Sequence, residues 1–170
     1  MKKVIVLIAA LLAALFIVGC ASKPPAGPTA AELLSSAKGN APPGALVGQA
    51  TSKGNAEQSA VLQIVRGLQY IASEMIDEQT AGGRLTSSVA ADFKSNVNSA
   101  LTRVAIDAVK VESGAGSDMN YAVYALERGE ALKVINKVTN AAKEVVAAGN
   151  FNTNNFDAAF AKAAAREWKN

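Results

Sequence analysis

The most nucleophilic side chain this sequence offers is a thiol, and it offers one: Cys20. Cys20 closes the stretch Ile17-Val18-Gly19-Cys20 and is flanked by the small residues Gly19 and Ala21. Ahead of it stand Lys2 and Lys3, then an unbroken apolar run over residues 4–18, the charged n-region and apolar h-region of a secretory signal. A bilayer-spanning helix wants roughly 20 apolar residues, so a cleaved signal fits this shorter run better than an anchor. The four residues match a lipobox, the site at which bacteria attach diacylglycerol to a cysteine sulfur and then cut before it. Cleavage is therefore expected between Gly19 and Cys20, with lipidation at Cys20. A thiolate takes a lipid through a stable thioether, and two or three acyl chains anchor lastingly where one would be marginal. An ordinary secretory signal with a chance cysteine, or an uncleaved anchor, is the alternative.

The remaining chemistry-bearing residues are weaker candidates. Glu74, Asp77 and Glu78 place three carboxylates within one helical turn, an arrangement that could ligate a hard cation or hold a raised-pKa acid; a solvated helix end is the plainer reading. Gly114-Ala115-Gly116 resembles a phosphate-cradling loop but lies between two expected strands, so no helix N-terminus would face an anion. A hairpin turn is expected there. Lys133, Lys137 and Lys143 could meet anionic headgroups or simply form a wet face. Histidine is absent, which removes Ser-His-Asp and Cys-His catalysis and imidazole metal sites. No catalytic residue, metal site or cofactor is expected.

Composition narrows the partners. Removing residues 1–19 takes Lys2 and Lys3 from 17 basic side chains against 14 acidic ones, so the remaining chain carries +1. Its charges are scattered, and nucleic-acid binding, which gathers basic residues on one face, is not expected. With its only cysteine lipidated, the chain has no internal disulfide to rely on.

Three regions follow: a lipoprotein signal peptide at 1–19, a lipidated tether at 20–43, and a domain at 44–170. All five prolines fall in the tether (Pro24, Pro25, Pro28, Pro42, Pro43). A flexible chain of roughly 20 residues spans about 25 Å. Within it, Thr29 and Glu32 have capping-box spacing ahead of Leu33 and Leu34, which predicts a short helix ending near Gly39.

In the domain, Ala45-Leu46-Val47-Gly48-Gln49-Ala50 reads as a strand. Asn55 can cap a helix with Val61, Ile64, Val65, Leu68, Ile71, Ala72 and Met75 facing inward, Gln63 and Arg66 outward, and Gly82-Gly83 as its stop. Residues 87–101 predict a second helix, with Val89, Phe93, Val97, Ala100 and Leu101 on one face. Residues 104–112 and 119–126 predict a hairpin around a loop at 113–118. Its second strand, apolar on both faces, should lie centrally. A helix after Arg128-Gly129 should bury Leu132, Ile135, Val138, Ala142, Val145 and Val146 and stop at Gly149. After an asparagine-rich turn at 150–155, Asn154 and Asp157 have cap spacing for a last helix reaching Trp168. Phe156 and Phe160 either pack that helix on the domain or offer an interface. The expected class is α+β, a small antiparallel sheet of about three strands packed by amphipathic helices.

The chain resembles the LPP-twenty family of bacterial lipoproteins, which includes relatives of a flagellar outer-membrane lipoprotein. The likeness covers roughly residues 45–134 plus the lipobox. It rests on Leu46-Val47-Gly48-Gln49-Ala50, on the helix over residues 60–75 with Arg66, and on Tyr121-Ala122-Val123-Tyr124-Ala125-Leu126. That helix is less dense in alanine and arginine than is usual for such proteins, and residues 150–168 fall outside the match. The resemblance implies an outer-membrane-anchored domain without catalysis, self-assembling into rings or disks in the flagellar branch, and transfers no site residue except Cys20. Ala21 and Ser22 lack the aspartate that retains lipoproteins in the inner membrane. The functional expectation is a structural or assembly component of the cell envelope, flagellum-associated in one version, with membrane attachment and homo-oligomeric or envelope-protein partners. The alternative is a binding module for a small apolar or lipid ligand.

Overall fold

Local signals place most elements where the sequence expects them. In the computed structural model, which describes residues 27–168, the order is α1 (Ala30–Gly39), β1 (Leu46–Ser52), α2 (Ala56–Ala81), α3 (Ser87–Leu101), β2 (Val109–Ala115), β3 (Asn120–Leu126), α4 (Arg128–Val145) and α5 (Phe156–Ala164). The fold is α+β. The sheet is antiparallel with order β1-β3-β2, so the strand that is apolar on both faces is central. Leu46 stands opposite Leu126 and Ser52 opposite Asn120.

Successive residues of β3 point to opposite faces, and each face meets a different helix. Leu126 joins the main core with Leu46 and Ile64, and Ala122 packs with Ala56 and Ala60 of α2. Tyr121 and Val123 join Ala30 and Ala37 of α1 on the other side. The molecule is thus layered: α1, sheet, α2, then α3, α4 and α5 packed around α2. Close approach of β1 to α2 requires Gly48, since a Cβ there would collide with the Ala60 carbonyl.

Four differences from the sequence reading have physical causes. Residues 30–39, assigned by composition to the tether, form a helix docked on the sheet. The Thr29/Glu32 capping box is present, as its spacing predicts, and α1 is pinned where Asp118 accepts the Ala30 N–H at 2.7 Å and Ser117 donates its N–H to the Pro28 carbonyl at 3.0 Å. Gln63, expected outward, is buried. Its Oε1 accepts the Gln49 N–H at 3.0 Å, meeting a donor of an edge strand.

The hairpin turn is tighter and β2 lies later than predicted. Pairing with β3 draws Gly114 and Ala115 into the ladder, and Gly116 N–H closes the turn on the Met119 carbonyl. Finally, α4 ends at Val145, with Val146 extended, rather than at Gly149. Phe151 must return beneath the helix to meet Phe93, ring centroids 4.9 Å apart, so the chain turns early.

Candidate functional site

The signal sequence, Gly19 and Cys20 lie outside the described residues, so the lipidation site has no geometry here. The three carboxylates on α2 do lie on the described helix, and they diverge. Asp77 takes Lys94 of α3, Glu74 takes Lys162 of α5, each at 2.8 Å, and Glu78 accepts the Asn155 carboxamide at 2.8 Å. Asp77 thus ties α2 to α3, while Glu74 and Glu78 tie it to the body and the start of α5. No metal-binding group of acidic or thiol side chains occurs among the described residues.

The lysine row on α4 is likewise distributed. Lys133 pairs with Glu130 at 2.6 Å, and Lys143 lies over the Phe151 ring. Phe156 and Phe160 are buried and stacked on each other, with α5 against α2 and the end of β1. The helix ends at Ala164 rather than at Trp168. Beyond it the Arg166 guanidinium sits 5.0 Å from the Tyr70 ring centre and 5.2 Å from that of Trp168.

One polar cluster escaped the sequence reading because Glu57 lies 53 residues or more from its partners. Glu57 accepts Lys110 Nζ at 2.9 Å and Ser113 Oγ at 2.8 Å, and Tyr124 lies beside it. The Lys110 ammonium, then the Ser113 hydroxyl, hold the Glu57 carboxyl below its ordinary range. In return Glu57 raises Lys110, and burial, then Glu57, raises Tyr124. A lysine held protonated beside a weakened carboxylate base does not activate a serine. Instead the cluster fastens edge strand β2 to the start of α2. The same edge carries a register shift between Lys110 and Glu112, a bulge-and-lysine combination that discourages strand addition.

Two further concavities among the described residues bear on ligand binding. An open groove of about 720 Å³ runs between the α1–β1 connection and α5, walled by Pro42, Pro43, Val47, Phe160, Ala161 and Ala164. Its rim carries the ion pairs Lys38–Glu167 at 3.0 Å and Arg128–Asp157 at 2.5 Å. A smaller polar cleft of about 290 Å³ lies at the C-terminal end of α2, lined by Glu78, Gln79, Gly82, Arg84, Asn152, Asn154 and Asn155.

Gln79 fixes that cleft. Although 5% exposed, its amide is satisfied: Oε1 accepts the Asn152 N–H at 3.0 Å, and Nε2 donates to the Asn152 carbonyl at 2.5 Å and to Asn155 Oδ1 at 3.3 Å. Asn155 occupies the N-cap position of α5 without capping it, because its carboxamide is spent on Gln79 and Glu78. Asn154, expected as the cap, instead donates its backbone N–H to Asn152 Oδ1. The only sequence signal for this site is the clustering of asparagines at 150–155.

Comparison of the chain with protein-family profiles, curated proteins and solved structures finds no match to any of them.

Proposed function

We propose that this chain is a bacterial lipoprotein, anchored in the outer membrane through Cys20, whose α+β domain is a non-enzymatic structural or assembly component of the cell envelope. The observation that carries the reading is the lipobox Ile17-Val18-Gly19-Cys20 behind its apolar run. Resemblance to the LPP-twenty family supports it. The two strand motifs of that resemblance are neighbours in the sheet, Ala50 opposite Ala122 and Leu46 opposite Leu126.

Docking of α1 changes what anchorage would do. Among the described residues, the body is already engaged at Pro28, whose carbonyl is bonded to the hairpin. Eight steps of chain from Cys20 reach at most about 28 Å. The domain would sit close to the bilayer, hairpin end nearest, rather than standing off on a leash reaching residue 43. Many such domains on one surface favour weak lateral association by raising effective concentration, which suits homo-oligomeric or envelope-protein partners. A flagellum-associated role is one version.

Growth with labelled palmitate tests the reading: the wild-type polypeptide should carry label and fractionate with the outer membrane, whereas Cys20→Ser should do neither. An unlabelled, freely soluble wild type would sink it. A deletion strain that swims normally would remove the flagellar version alone. The second reading, capture of a small apolar or lipid ligand, is favoured by the groove between Pro42-Pro43 and α5. Saturable binding of a fluorescent fatty acid, reduced by Ala161→Lys, would support it.

A further inference from the structure

We infer that the cleft at the C-terminal end of α2 is a binding site for a neutral polyhydroxylated ligand, a sugar ring of an envelope glycan. That the glycan belongs to the envelope rests on the function proposed above; the preference for a neutral sugar does not. Every lining residue except Gly82 carries a polar group on an apolar stem, so the cleft mixes polar and apolar surface as the hydroxyl edges and C–H faces of a sugar ring do. Its volume of about 290 Å³ stands near the lower end of small-molecule pockets and suits one ring rather than an extended chain.

Its unspent groups set the ligand chemistry. Among the described residues, no hydrogen bond or ion pair engages the Arg84 guanidinium or the Asn154 carboxamide. Asn152 uses only Oδ1, leaving its NH2 group, and Glu78 uses only Oε2, leaving Oε1. Two amides, a guanidinium fork and a carboxylate oxygen present donors and acceptors side by side. Hydroxyl groups both donate and accept, so adjacent ring hydroxyls can satisfy such a set where a pure acceptor or pure donor cannot.

Electrostatics choose neutrality. Arg84 would attract an anion, but Glu78 and the partial negative charge at the C-terminal end of α2 oppose it; a cation meets Arg84. The loop that frames the site is tied to α2 before any ligand arrives. Gln79 grips both backbone polar groups of Asn152 from a position 73 residues away in sequence, so the loop is held in place and the ordering on binding falls on the Arg84 and Asn154 side chains.

The test titrates the full-length protein in mild detergent with N,N′-diacetylchitobiose, maltose and glucuronate, following the side-chain NMR signals of Arg84, Asn152 and Asn154. Saturable shifts in the millimolar range with a neutral disaccharide are expected. Arg84→Ala and Asn154→Ala, both at exposed positions, should each weaken binding about fivefold, the scale of one or two lost hydrogen bonds. Preference for the chitobiose points to cell-wall glycan, and preference for maltose to another polysaccharide. The inference is overturned if neither disaccharide moves these signals, if both variants bind like the wild type, or if glucuronate binds more tightly than either neutral sugar.

Discussion

The two faces of the sheet are covered by helices of opposite character. Under one face runs α2, 26 residues long, with Ile64, Leu68, Ile71, Met75 and Ile76 all inaccessible to solvent. Over the other lies α1, 10 residues, fully buried only at Ala30 and Ala37 and half-buried at Leu33 and Leu34. Burying one large aliphatic side chain is worth about 1.5–3 kcal/mol, so the α1 contact amounts to about 4 kcal/mol in all. The α2 side sums to several times that. Apolar packing therefore dominates one face, while on the other a thin apolar contact is supplemented by polar latches at the helix end.

The largest effects should come from the α2 face. Ile71→Ala should cost about 2–5 kcal/mol, and Gly48→Ala, which drives a methyl into the Ala60 carbonyl, about 3 kcal/mol. Denaturant titration should show one transition moved to lower midpoint, with the whole domain unfolding together.

A methyl at Gly116 tests the opposite face. Gly116 lies so close to the Ala30 backbone that a Cβ has no room. Gly116→Ala should free α1 while the body stays folded, at a cost bounded by the roughly 4 kcal/mol of that contact. Hydrogen exchange reads the difference: amides of α1 should lose protection while those of α2 and β3 keep it. Equal loss on both faces would make the sheet and its two covers one cooperative unit and break the comparison.

Acid should reproduce that release without mutation. The Ala30 N–H holds the Asp118 carboxyl below its ordinary range, and the Thr29 N–H does the same for Glu32. A carboxylate whose folded pKa is depressed adds stability above its unfolded pKa, about 4. That contribution is lost as pH falls through the folded value. Both groups sit at one end of α1, so its amides should open first below about pH 4. Asp118→Asn should flatten much of this dependence near pH 4 by removing one of the two titrating groups.

The same contrast explains what the sequence discloses. Broad apolar stripes and caps are local, which is why α3 falls on residues 87–101 as its spacing predicts and β3 emerges as the central strand. Docking by two alanines leaves no stripe, so α1 reads as a short helix within the tether and its seat on the sheet stays hidden. Long-range polar pairing is equally silent: Gln63 and Gln79 look like surface residues until Gln49 and Asn152 are brought to them. Phe151, hidden in a run of asparagines, gives no period to read. Of the polar cleft only the asparagines were visible, because Arg84 and Gln79 join them through tertiary contacts.

Val145 marks where periodicity outran the helix it described. Spacing from Val138 and Ala142 places it on the inward face, yet it is 74% exposed. The helical pattern projects a side chain inward only while the helix lies against its neighbour. Here α4 has reached its last residue, and the chain is already turning through Val146 toward Phe151. Val145→Ser should shift the denaturation midpoint by no more than the equivalent of about 0.5 kcal/mol, since valine and serine differ little in helix propensity. A loss on the scale of the Ile71→Ala variant would place Val145 in the core and carry α4 on to Gly149.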